Sequence, residues 1–311
     1  FFFAHTMVQT SDETEAQVRY DRQIRLWGHE AQQRMRDSKI VVVSLGGLAV
    51  EIVKNLVLAG IGNLTILDNQ VATDRDLSIN FFLSQADVGK NRATASHAAI
   101  QSLNPLVSIT VHEGCAVSQP EEYWLGFDVI CVTECSVELQ RKIDRIVRPK
   151  GVFFGCNSFG FLAMCFVDLG DNFVWIDKSE GDTPKTVHFV PLDVVEESTN
   201  WKFKPSKPFL ACRTILHALT KGGEVDVQGL LTSRAELAAL HGFDPALLPD
   251  GYVATLAEKA VGEFSPVCTV VGGEIAQEML KVVQRNANPI NNILVYDALD
   301  PDLRGLVEKA P

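Results

Sequence analysis

Short apolar runs alternate along the first half of the chain with longer segments of helical periodicity. Ile40-Val41-Val42-Val43, Leu64-Thr65-Ile66-Leu67 and Val129-Ile130-Cys131-Val132-Thr133 lack the in-out alternation of a half-exposed strand, and predict strands buried on both faces. Between them lie an apolar helical stretch at 50–59 broken at Gly60/Gly62, a helix at 90–102 stopped by Asn104-Pro105, a strand at Val107–His112, and a helix at 137–147 ended by Pro149. Upstream, Ile24, Trp27, Ala31 and Met35 recur at three- and four-residue spacing, which predicts a helix from Tyr20 onward. Strands near 151–156 and 162–167 complete an order that predicts an α/β fold, a doubly wound and mostly parallel sheet with helices on both faces.

After about residue 177 Pro, Lys, Asp and Ser rise, and helical patterns occur near 209–220, 227–241 and 251–260. Ser265-Pro266 then opens an apolar helix over Val270–Val283, and Ile293–Tyr296 reads as a closing strand. The expected division is a disordered polar leader at 1–17, a first sheet-bearing part at 18–177, a mainly helical insertion at 178–263, and a return to the sheet domain at 264–311.

Charge and cysteine usage narrow the function classes. A net charge of -11 argues against nonspecific nucleic-acid binding. Seven cysteines, an odd number with no C-x-x-C pair, speak against a four-cysteine zinc site and predict reduced thiols in an intracellular protein. The seven histidines show no i, i+4 pairing, so no metal site is expected from them. No apolar run approaches the ~18 residues of a membrane span, so no membrane association is expected. Phe1–Thr6 lacks the basic n-region of a signal peptide, and Met7 is the expected start.

Candidate chemistry begins where the first strand ends. Ser44-Leu45-Gly46-Gly47-Leu48-Ala49 stands where a nucleotide-binding βαβ unit keeps its G-x-G-x-x-G turn, but Ser44 and Ala49 replace the outer glycines. Asp68 follows the second strand, 22 residues after Gly46, where an acidic residue ordinarily bonds a ribose hydroxyl. The pattern is that of a nucleotide-binding unit with a damaged site.

Tyr20-Asp21-Arg22-Gln23-Ile24-Arg25-Leu26-Trp27-Gly28 resembles the opening motif of the ubiquitin-like-modifier activating enzymes. Phe264-Ser265-Pro266 through Gly272-Gly273 and Glu278 resembles their late helix start. Between them the Gly-rich turn, Leu67-Asp68, Asp87-Val88-Gly89-Lys90 and Leu103-Asn104-Pro105 follow the order of that family's ThiF/MoeB-like adenylation domain. The resemblance covers about residues 18–177 and 264–311. The length and the ending Asn291–Asp297 are similar to the smaller, non-thioester-forming half of the SUMO branch.

Family halves are active or inactive, and the resemblance implies an inactive one. The family's phosphate-contacting Arg falls on Ile79, the preceding Asn on Asp76, the phosphate-binding Lys on Arg92, and the magnesium-binding Asp near Cys135-Ser136. No Asp stands between Val129 and Asp144. Gly46, Gly47 and Asp68 are therefore expected to be vestigial, and the chain alone to bind no cofactor, ATP and magnesium belonging to a partner. The resemblance assigns to Arg22 the role of reaching across a dimer to that partner's ATP phosphates, while Arg25 either serves the same site or braces its helix. Cys212 lies in the insertion, where active halves carry a thioester cysteine, but its Phe209-Leu210-Ala211-Cys212-Arg213 context lacks P-x-C-T and reads as a buried thiol. The implied partners are a catalytic SUMO-activating subunit and SUMO, and the implied location is nuclear with a cytoplasmic share. A NEDD8-type regulatory subunit, a self-sufficient adenylyltransferase of the sulfur-carrier kind, and a NAD-dependent dehydrogenase remain as alternatives.

Overall fold

A computed structural model describes residues 11–199, 201, 205–260, 262–299 and 306–308. The sheet is built from β1 (Lys39–Val43), β2 (Asn63–Leu67), β3 (Ser108–His112), β4 (Val129–Thr133), β5 (Val152–Phe159), β6 (Leu162–Asp168), β9 (Ile293–Asp297) and β10 (Leu306–Glu308), in spatial order β10-β9-β6-β5-β4-β1-β2-β3. The strands β3, β2, β1, β4 and β5 run parallel, and β6, β9 and β10 are added antiparallel. The doubly wound, mostly parallel expectation thus holds, with an antiparallel edge. Separately, β7 (Phe173–Asp177) and β8 (Thr183–Val187) form a two-stranded ribbon across the expected 177/178 boundary.

The continuous apolar strands are explained by two cores. Ile40, Val42, Leu64, Ile66 and Cys131 face one side, where α3 (Gly47–Ala59), α4 (Arg92–Leu103) and α11 (Ser265–Gln284) cover the sheet. Val41, Val43, Ile130 and Val132 face the other, under α6 (Val137–Val147) and α8 (Lys207–Thr220). The α8 residues Phe209, Leu210, Ala211, Cys212 and Ile215 are fully buried in this second core. A helix apolar on nearly every side must be enclosed, and so α8, within the expected insertion, forms a layer of the sheet domain itself. Its companions are α7 (Leu192–Glu197), α9 (Val227–His241) and α10 (Asp250–Lys259).

At the amino end the structure differs from the expected single helix and leader. Two helices, α1 (Ser11–Trp27) and α2 (His29–Asp37), meet at Gly28, whose φ of 90° breaks the run. Residues 11–17 form the first turns of α1, while residues 1–10 of the expected leader lie outside the described residues. The short α5 (Glu121–Trp124) precedes β4.

The strand order reverses between β1 and β4. In open α/β sheets the crevice at the carboxyl ends of the strands beside such a reversal is where ligands bind. Ser44, Asp68 and Glu134 are the first residues after β1, β2 and β4, so all three stand at this crevice.

Among the described residues no helix is long and apolar enough to cross a membrane.

Candidate functional site

The turn after β1 keeps the geometry of a phosphate-type loop despite its substitutions. Ser44 takes φ 64°, a left-handed value that a glycine would adopt without strain. Its N–H donates to Leu67 O at 2.9 Å, and Thr133 Oγ1 donates to Val43 O at 2.9 Å, fixing the three strand ends together. Gly46 caps α3 with no side-chain hydrogen bond, so the first N–H groups of the helix are left to find an acceptor elsewhere.

They find a carboxylate of the same chain. Gly47 N donates to Glu263 Oε2 at 2.5 Å and Leu48 N to Glu263 Oε1 at 2.9 Å. A helix N-terminus attracts anions through its free N–H groups and its dipole, and here the anion comes from 216 residues away. A Cβ on Gly46 would lie 2.6 Å from the Glu134 carboxyl carbon and 2.7 Å from Glu263 Oε2. A side chain at Gly46 would therefore displace the two carboxylates packed on it. A Cβ on Gly47 would meet Ile79 Cβ at 3.0 Å, so Ile79 lies against the turn as an apolar lid.

Arg92, where the resemblance puts a phosphate-binding lysine, is saturated as well. Its Nε lies 2.5 Å from Asp68 Oδ2, its Nη1 3.2 Å from Asp76 Oδ1 and its Nη2 2.5 Å from Glu134 Oε2. A lysine ammonium has no planar fork with which to bridge three such carboxylates. The surrounding acids hold the Arg92 proton more firmly, the charges of Glu134 and Asp68 outweighing the effect of burial. Asp68 also accepts from Leu45 N at 2.9 Å and Gln70 N at 2.9 Å. Its two oxygens are therefore engaged with the protein, and the side chain is fully buried.

Around these groups is a cavity of about 490 Å³ lined by Thr73, Arg75, Asp76, Arg92, Glu134 and Glu263 among others. Counting Asp68 behind it, four carboxylates stand against the two guanidiniums of Arg75 and Arg92. Burial, and then the charge of Glu134, push the Glu263 carboxyl above the usual carboxylate range, against the two N–H groups that favour its ionised form. Asp76 is held below that range because the Thr73 hydroxyl and N–H, with Arg92, overcome its burial. Cys135, in the place expected for a metal ligand, has its thiol pushed up to about 12 by burial and then by Glu134 and Asp68. Cys268 is likewise pushed up to about 12 by burial and by Glu263. Neither is a reactive thiolate near neutrality.

The residues present do not fit a magnesium–triphosphate group. Its phosphates would need the α3 N–H groups and the cation beside them, and Gly47 N, Leu48 N and Arg92 already hold carboxylates. The sequence had pointed to Gly46, Gly47, Asp68, Asp76, Ile79 and Arg92, and the fold brings all six together. It had passed over Glu134 and Glu263. Glu134 was legible as a carboxylate one residue before the expected metal position. Glu263, just ahead of the Phe264-Ser265-Pro266 motif, carried no signal of its partner.

Arg22 is far from this cluster. Tyr20, two residues before it, is buried against Gly60, where an added Cβ would lie 2.4 Å from the ring, and Gly60 caps the carboxyl end of α3. The turn is at the opposite end of that 13-residue helix, about 20 Å away at helical rise. Arg22 is exposed and makes no ion pair among the described residues. Arg25, by contrast, pairs with Asp21 at 2.9 Å on the exposed face of α1.

The profile of the ThiF family matches residues 20–310. The human protein "SUMO-activating enzyme subunit 1" is 34% identical over 339 residues, covering 96% of this chain and 95% of its own. The Dictyostelium discoideum protein of the same description is 31% identical over 314 residues, covering 96% and 94%. Among solved structures, the crystal structure of selenomethionyl PaaA superposes with a TM-score of 0.63 at 15% identity, over 99% of this chain and 86% of that one, a likeness of fold.

Proposed function

This chain belongs to the ThiF family, in the group described as SUMO-activating enzyme subunit 1, and from that membership we propose that it is the non-catalytic half of a heterodimeric SUMO-activating enzyme. A partner subunit binds ATP and magnesium, adenylates the C-terminal glycine of SUMO and captures it on its own cysteine. The observation that carries this reading is the occupied turn. Glu263 takes the α3 N-terminus, and Asp68, Asp76 and Glu134 take Arg92. Adenylation needs positive charge and N–H groups to neutralise the transferring phosphates, and here the first α3 N–H groups and the Arg92 guanidinium are already taken by carboxylates of the chain itself.

What it contributes is Arg22. Exposed, without an ion pair among the described residues, and on a helix anchored at the end of α3 opposite its own turn, Arg22 is suited to reach phosphates held by another subunit. A guanidinium supplied in trans stabilises charge on phosphoryl oxygens with planar, forked donors. Arg25 braces α1 through Asp21. On family resemblance, we extend the proposal to a nuclear location with a cytoplasmic share.

Pyrophosphate exchange into ATP in the presence of SUMO tests this. This chain alone should show none, and the mixture with the partner subunit should exchange far faster than the partner alone. Exchange by this chain alone at the rate of the mixture would overturn the reading and favour the self-sufficient adenylyltransferase.

A further inference from the structure

Glu263 does more at this turn than remove a helix N-terminus from solvent. It lies where the chain leaves α10 and enters α11, and that passage is pinned on both sides. Gly160 N donates to Gly262 O at 2.6 Å, and Gly160 pairs with Glu263 in an isolated parallel bridge. Gly262 has φ 82°, and the Arg75 guanidinium occupies the space a Cβ would need, with Nη2 at 1.7 Å from that position. The Glu263 carboxylate then reaches into the turn and takes both Gly47 N and Leu48 N. The same N–H groups would hold a phosphate, and Arg75, which makes no ion pair among the described residues, lines the cavity beside them.

We propose that Glu263 is a built-in anion that occupies a latent phosphate site, ties the crossover segment to the α3 N-terminus and keeps polyphosphate out. The inference concerns this chain alone and does not depend on the identity of the partner subunit. A carboxylate on two N–H groups gives part of what a phosphate would give, and it is delivered intramolecularly without the entropic cost of capturing a free ion. Its negative charge, added to those of Glu134 and Asp76, repels any second anion from the cavity.

The test uses the full chain and three variants. Glu263→Gln keeps the shape and one acceptor oxygen but removes the charge. Glu263→Ala removes both. Glu258→Gln, at an exposed position on α10, makes the same change in net charge elsewhere. Binding of inorganic pyrophosphate is measured by calorimetry, and Tm is measured with pyrophosphate and with sodium chloride at matched ionic strength. The expected result is that Glu263→Gln binds pyrophosphate at least about tenfold tighter than the unaltered chain and Glu258→Gln. Glu263→Ala should have a lowered Tm that pyrophosphate raises and chloride does not. Equal pyrophosphate binding by the unaltered chain and Glu263→Gln overturns the proposal, as does a lowered Tm that neither salt restores or an unchanged Tm in both Glu263 variants.

Discussion

Asn104 Nδ2 donates to the Tyr20 hydroxyl at 2.7 Å, joining two segments 84 residues apart. Both belong to motifs visible in the sequence, the opening nonapeptide and Leu103-Asn104-Pro105. Their contact holds α1 on the carboxyl end of α3 and so sets where Arg22 stands. Asn104 Nδ2 also donates to Val57 O at 2.8 Å, so it keeps one partner if Tyr20 loses its hydroxyl. Tyr20→Phe should therefore destabilise the chain by about 1 kcal/mol, the ordinary net worth of one hydrogen bond. Urea unfolding of the two proteins checks this, and an unchanged midpoint would mean that the bond contributes nothing to anchoring α1.

Arg92→Met should be far more damaging. It leaves the fully buried Asp68, along with Asp76, without their cation, and breaking a buried ion pair from one side costs about 3–5 kcal/mol. Arg92→Lys should recover only part of the loss. Equal stability of Lys and Arg at this position, measured by urea midpoint, would contradict the three-carboxylate arrangement.

How far this cluster was legible depends on which forces placed its members. The strands were readable because residues such as Val41 and Val42 face two different cores, and double-sided burial leaves an unbroken apolar run. Helix α9 was readable over 227–241, and the structure shows what bounds it, with Asp226 capping its start and Gly242 past its end. The turn residues and Asp68 sit at fixed offsets within one βαβ unit, so spacing alone found them. Glu263 acts on Gly47 across 216 residues, and nothing local encodes that meeting. The ribbon β7–β8 was missed because the Thr183–Val187 strand includes Pro184 and is polar, as an exposed edge permits. The first turns of α1 were missed because polar residues without an apolar stripe carry no helical period.

A pH dependence follows from the second core. Burial, and then the charge of neighbouring Asp168, push the Asp144 carboxyl well above the usual carboxylate range, while Leu192 N donates to its Oδ2 at 2.8 Å. Above the ordinary carboxylate pKa the unfolded chain has released this proton and the folded chain still holds it. Stability from this group is thus full at acidic pH and falls as pH rises toward the folded-state value, by up to about 1.4 kcal/mol per pH unit. Asp144→Asn should flatten that fall, read as urea midpoints between mildly acidic and mildly alkaline pH. Parallel curves for the two proteins would contradict the assignment.

Cys212 is fully buried on α8 within the second core. Cys212→Ala should leave thioester formation between SUMO and the partner subunit intact, seen as a reductant-sensitive band on a non-reducing gel. Loss of that band with the heterodimer still assembled would place thioester chemistry on this chain.

The most direct measurement is SUMO-dependent pyrophosphate exchange by the heterodimer carrying Arg22→Ala. Arg22 is exposed and unpaired among the described residues, so the variant chain should fold and assemble with the stability of the original. Exchange should fall by about two orders of magnitude or more, in line with the loss of a phosphate-directed arginine supplied in trans. An Arg22→Ala heterodimer that assembles normally and exchanges at the original rate would contradict the donation of Arg22 to the partner's ATP site.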